Sequence, residues 1–221
     1  ARDRLEDPVV EHGPIQAADC IVVAAAWMMR GAEAAAVLGE QVEIDAGGRS
    51  ATIELGPTKT NPAGRECPRT LRCCCGAGES TALPSSSACP VHALVRVLHA
   101  RAQRGMDGKR PLFPTVDGRT PTRRAVISTL RHLAGDRRLT EHSMRRMGAQ
   151  YYARHGVPTA FIEFLGRWGG PTVLKYIGEA LRERASEASV IAARRDAQCD
   201  PTLVELRREV QRELQSAQHV Q

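Results

Sequence analysis

His142 and Arg145 stand three residues apart in residues 140–176, TEHSMRRMGAQYYARHGVPTAFIEFLGRWGGPTVLKY. On a helix, side chains at that spacing share one face, and at the start of a helix the face lies beside the positive end of the backbone dipole. An imidazole and a guanidinium placed so could hold a phosphate. Arg30 and Glu33 repeat the spacing within an alanine-rich apolar segment. An arginine there must meet an anion, whether a core acid such as Glu33 or a ligand. Lys59 falls in TKTNPAGR, at the tip of an expected β-turn, where an exposed lysine is the ordinary occupant. Trp168 ends the run LGRW and precedes Tyr176 by eight residues. Its indole N–H can donate to an anion, and its ring can equally well fill a core. Tyr151 and Tyr152 follow Arg145 on the same expected helix and read as core residues.

A second group of chemistry-bearing residues lies earlier. Cys67, Cys73, Cys74, Cys75, Cys89 and His92 offer thiolate and imidazole donors close together in sequence, with Cys67, Cys73, Cys75, Cys89 and His92 as candidate zinc ligands. Their spacing matches no standard zinc knuckle, and reduced thiols in a loop are the alternative.

The elements that must position these residues follow from periodicity. Residues 16–38 read as one buried helix carrying Arg30 and Glu33. Val42, Ile44, Ile53 and Leu55 then alternate with polar residues around AGGR, which predicts a hairpin, and a third strand is expected near 65–72. Residues 73–89 carry Gly, Ser and Pro and read as a loop. Helices are expected near 91–104, 121–134, 142–155, 158–166, 171–198 and 202–218. In the last of these, Leu203, Leu206, Val210, Leu214 and Ala217 recur at three- and four-residue steps, an amphipathic pattern.

Bulk properties narrow the function. The 221 residues carry a net charge of +6, which favours a polyanionic partner. Of the 31 basic residues only Lys59, Lys109 and Lys175 are lysines, and the arginine excess suits phosphate. No apolar run is long enough to span a membrane and the first residues lack a secretory signal, so an intracellular protein is expected, with its seven cysteines reduced or metal-bound.

Taken in order, Arg30 with Glu33, Lys59, His142-x-x-Arg145, Leu165-Gly166-Arg167-Trp168 and Tyr176 resemble the boxes of the tyrosine recombinase, or phage integrase, family, over roughly residues 14–195. The resemblance implies an α+β, mainly helical catalytic domain with a small three-stranded antiparallel sheet. Its expected limits are 14–198, with a Cys-rich loop at 67–92, residues 1–13 as the remnant of an N-terminal linker, and 199–221 as a C-terminal amphipathic helix. It implies that Arg30, Lys59, His142, Arg145, Trp168 and Tyr176 act together, with Tyr176 attacking a DNA phosphate to form a 3′-phosphotyrosyl link. In that scheme Lys59 protonates the leaving 5′-oxygen and no cofactor is required. The expected partners are double-stranded DNA and further copies of the chain, as a tetramer on DNA. The short interval from Trp168 to Tyr176 resembles that of recombinases from eukaryotic mobile elements, including retroelements, which would place the protein in the nucleus. Two alternatives remain beside strand exchange: DNA relaxation in the manner of type IB topoisomerases, and a non-catalytic DNA-binding remnant of a mobile element.

Overall fold

Small and apolar residues without Pro or Gly make Ala17–Ala26 helical (α1), and Cys20, Val23 and Ala24 are buried on it. The computed structural model describes residues 8–56, 67–75, 88–168, 171–185 and 190. The single helix expected over 16–38 is instead two helices. The chain leaves α1 at Trp27, Met28 takes a left-handed φ of 50°, and a second helix (α2) runs over Gly31–Ala36 with Arg30 as its N-cap. A straight helix would carry one of three successive large side chains away from the core. The break leaves Trp27, Met28 and Met29 all fully buried.

Beyond a 3-10 turn at Gly39–Gln41, strands Val42–Ile44 (β1), Ser50–Leu55 (β2) and Cys67–Arg72 (β3) form an antiparallel sheet in the order β1-β2-β3. Val42 pairs with Ile53, and Leu55 with Cys67. The expected alternation holds: Ala51, Ile53 and Leu55 face the core while their neighbours are half-exposed. The Trp27 indole donates to the Arg69 carbonyl at 2.8 Å and ties the helix break to β3.

Five further helices follow: Pro90–Gln103 (α3), Arg123–Ala134 (α4), Ser143–Arg154 (α5), Thr159–Gly166 (α6) and Thr172–Ala185 (α7). Helix α1 packs on α3 and α5, α2 on α4, and α5 on α6. Their positions match the sequence expectation to within a few residues, except that the reading of α7 to residue 198 and the helix expected at 202–218 run outside the described residues. The chain divides into compact units at Ala1–Ile177 and Gly178–Gln221. Among the described residues of the second unit, Arg182 Nε donates to the Gly178 carbonyl at 3.2 Å. Among the described residues no helix is long and apolar enough to cross a membrane.

One close approach decides how α5 meets α1. A Cβ at Gly148 would run into the Ala25 carbonyl and the Met28 side chain. The Gly148→Ala variant should therefore lose about 2 kcal/mol, the usual size of an overpacking penalty, read as a lowered midpoint in urea unfolding. A midpoint equal to wild type would show that the two helices can separate without cost.

Candidate active site

The break between α1 and α2 supplies two of the groups that organise the site. Arg30, at the N-cap of α2, donates through its backbone N–H to Glu33 Oε2 at 2.8 Å and through Nη1 to Oε1 at 2.9 Å. Met28, whose carbonyl no longer serves a continuing helix, accepts from Arg145 Nε at 2.9 Å. Arg145 Nη2 reaches Glu33 Oε2 at 3.3 Å, and Arg167 Nη2 reaches Oε1 at 2.5 Å. One carboxylate thus gathers guanidiniums from α2, α5 and the end of α6.

The exposures of these arginines differ in a way that matters for chemistry. The side chain of Arg145 is 1% exposed, whereas that of Arg30 is 29% exposed. Burial pushes the Arg145 guanidinium down to about 10; Glu33 opposes the shift, and Arg30 and Arg167 add to it. It remains a cation at neutral pH. Burial alone would raise the Glu33 carboxyl, but Arg167, the Arg30 N–H, Arg145 and the Arg30 guanidinium together hold it below the usual carboxylate value.

Trp168 lies over this cationic floor. The Arg145 guanidinium carbon is 5.5 Å from the centre of the indole, and the Trp168 and Tyr176 rings lie 4.7 Å apart with an interplanar angle of 35°. The Leu-Gly-Arg-Trp run has a local reason to be spelled so. Arg167 ends α6 in the left-handed region at φ 52°, which turns the chain back, and a Cβ at Gly166 would collide with the Trp168 ring.

The Tyr176 hydroxyl and His142 Nδ1 are 3.4 Å apart, and either can donate, depending on the imidazole tautomer. His142 caps α5, with Nε2 3.6 Å from Glu141 Oε1. Glu141 also pairs with Arg123 at 3.0 Å, and its carbonyl accepts from the N–H of Gly31 at 3.2 Å, the residue after Arg30. Beside Tyr176 a groove of about 600 Å³ is lined by Arg138, Thr140, His142, Arg146, Gln150 and Lys175.

Of the six residues singled out in sequence, Arg30, His142, Arg145, Trp168 and Tyr176 converge, and Lys59 lies outside the described residues. The pairing of Arg30 with Glu33 is present and does not bury the arginine. Tyr151 is 59% exposed rather than core, while the hydroxyl of Tyr152 is committed to the Ala26 carbonyl at 3.0 Å. Arg167 is the residue that sequence reading missed: it stood inside LGRW, but that run drew attention only for its tryptophan. Cys73, Cys75, Cys89 and His92 form a separate donor group, Cys74 is exposed beside it, and the side chain of Cys67 lies outside the described residues.

No protein-family model and no curated protein matches the chain in sequence. Among solved structures it is similar to the XerH site-specific recombinase in a post-cleavage complex with a palindromic difH substrate, with a TM-score of 0.52 at 17% identity over 80% of this chain and 46% of that one. A pre-cleavage complex of XerH with difH gives a TM-score of 0.47 at 15% identity over 79% and 46%, and the Tn1549 transposon integrase in complex with transposon right-end DNA gives 0.43 at 16% over 76% and 58%. The chain therefore has the catalytic-domain fold of the tyrosine recombinases, α+β with a three-stranded antiparallel sheet. It spans less than half the length of XerH.

Glu33 makes the stability of this site depend on pH in a definite direction. Because its folded-state pKa is depressed, its contribution is complete at neutral pH and disappears as the pH falls below ~4.3, the unfolded value, through the folded one. The Glu33→Gln variant leaves the guanidiniums without their anion and should lose about 3 kcal/mol at pH 7. Its unfolding free energy should also vary less with pH than that of wild type between about pH 5 and acid. Parallel pH dependences for the two proteins, measured by denaturant titration, would remove Glu33 from this role.

Proposed function

We propose that this chain cuts and rejoins double-stranded DNA, with Tyr176 as the nucleophile. The observation that carries the reading is the phenol of Tyr176, stacked on Trp168 beside the Arg145–Glu33–Arg30 cluster and 3.4 Å from His142 Nδ1. The cationic lining of the adjacent groove supports a polyanionic substrate.

In the proposed step the Tyr176 oxygen attacks the scissile phosphorus, the bond to the 5′-oxygen breaks, and a 3′-phosphotyrosyl ester forms. A phenol ionises only near pH ~10, so attack at neutral pH needs help. His142 Nδ1 takes the phenolic proton as the P–O bond forms. The departing 5′-oxygen needs a proton in return, a role that the family resemblance gives to Lys59. Charge developing on the non-bridging oxygens meets Arg30 directly at its exposed edge and Arg145 through its field from beneath the indole, and the Trp168 N–H is available as a further donor. Attack on the ester by a second strand's 5′-hydroxyl reverses every transfer, so no external energy source and no cofactor enters. Exchange between duplexes on this scheme calls for a homo-oligomer on DNA, one copy for each strand cut.

The decisive measurement uses a nicked suicide duplex that cannot religate. Wild type should leave a denaturation-resistant protein–DNA adduct, and Tyr176→Phe should leave none while binding the same duplex. Binding by wild type without any adduct would mean a DNA-binding remnant; adducts together with relaxed circles but no exchanged strands would mean a topoisomerase-like activity. Arg30→Ala and Arg145→Ala should each slow adduct formation by roughly 100-fold or more, the usual cost of one transition-state donor. The Arg145 change should also lower the unfolding midpoint, and by more than the Arg30 change, because Arg145 is the more deeply buried partner of Glu33. Duplex affinity should fall steeply between about 50 and 200 mM salt as counterions are released; a flat dependence would count against DNA as the substrate.

A further inference from the structure

Cys73 and Cys75 leave the end of β3, Cys89 is the N-cap of α3, and His92 lies in the first turn of that helix. Their donor atoms all lie within 4.8 Å of one another. Cys89 Sγ is 3.6 Å from Cys73 Sγ, Cys75 Sγ is 3.4 Å from His92 Nδ1, and Cys73 Sγ is 4.0 Å from His92 Nε2. A disulfide would require ~2.0 Å between sulfurs, and these cysteines are free thiols. In a tetrahedral site with zinc–sulfur bonds of ~2.3 Å, neighbouring donors stand roughly 3.8 Å apart. The observed separations bracket that value.

We propose that Cys73, Cys75, Cys89 and His92 hold one structural zinc ion. Three sulfurs and one imidazole nitrogen form a soft, complete tetrahedral set without a carboxylate, which selects zinc over magnesium or calcium. Four protein ligands leave no open position for water, so the ion braces the fold and takes no part in strand transfer. On binding, the three thiols become thiolates and release their protons to solvent. Zinc with three thiolates and a neutral imidazole carries one net negative charge. The site would fasten the end of the sheet to the start of α3.

The irregular spacing then has a physical reason. A zinc knuckle draws its ligands from tight turns, whereas here one pair comes from a strand end and the other from a helix cap, Cys89-Pro90-Val91-His92. The exposed Cys74 sits between two ligands and is not one of them.

Purified full-length chain, dialysed against metal-free buffer, should retain about one zinc per molecule by elemental analysis. Cys74→Ala should keep it. Cys75→Ser, Cys89→Ser and His92→Ala should lose it, and chelation of wild type should lower Tm by several degrees. Cobalt titration of stripped wild type gives a reading independent of how those ligand variants fold. Tetrahedral d–d bands with sulfur-to-cobalt charge transfer are expected, and a spectrum of aqueous cobalt alone would overturn the proposal. So would a Tm of wild type that chelation leaves unchanged, zinc retained by both Cys75→Ser and Cys89→Ser, or mass analysis showing Cys73 and Cys89 joined as a disulfide. These outcomes are independent of adduct formation by Tyr176.

Discussion

A carboxylate withdrawn from water, with a side chain only 16% exposed, is the constraint around which the site is arranged. Glu33 alone would be costly in that position, and so would each of its guanidinium partners; together they compensate one another's desolvation. The arrangement cannot be assembled from one helix. Arg30 must come from the break before α2, Arg145 from the first turn of α5 and Arg167 from a left-handed residue after α6. Glu33 therefore fixes how those elements meet before any substrate arrives.

Above that floor Trp168, Tyr176 and His142 are held more lightly. Trp168 and Tyr176 meet through their rings, and Tyr176 touches His142 at a hydrogen-bonding distance near the long limit. The histidine is in turn steadied by Glu141, which also grips Arg123 and the start of α2. The proposed nucleophile, which would move from its imidazole partner to a phosphorus and back, suits this division. The guanidiniums are locked by ion pairs, while the phenol sits on an aromatic surface without a directional bond stronger than one to an imidazole.

Much of this was legible in sequence because it rests on short-range rules. The spacing of His142 and Arg145, the alternation of Ala51, Ile53 and Leu55, and the Gly and Pro punctuation between helices each have a local cause. The break at residues 27–30 was not legible, since Trp27, Met28 and Met29 continue an apolar helical pattern with no Gly or Pro, and only the tertiary demand to bury all three ends the helix. Arg167 was hidden for the same reason: nothing in LGRW says that its arginine turns inward toward a glutamate more than a hundred residues away. The cysteine group was readable as a set of donors. Which of its members converge was not, because that depends on the end of β3 lying against the cap of α3.

The sheet, remote from the phenol in sequence, is mechanically joined to it. Arg69 on β3 is 2% exposed; its backbone carbonyl accepts the Trp27 indole, and its Nε donates to the carbonyl of Phe164 on α6 at 3.3 Å. Arg167 adds a second strut, from Nη1 to the carbonyl of Gly56 just past β2, at 3.3 Å. The end of α6, which delivers both Arg167 and Trp168, is thus positioned from the sheet side as well as by Glu33. A metal clamp at the end of β3 would act on the opposite end of the same strand that carries Arg69. Loosening it would reach the indole through β3 and α6, without altering any residue of the proposed catalytic set.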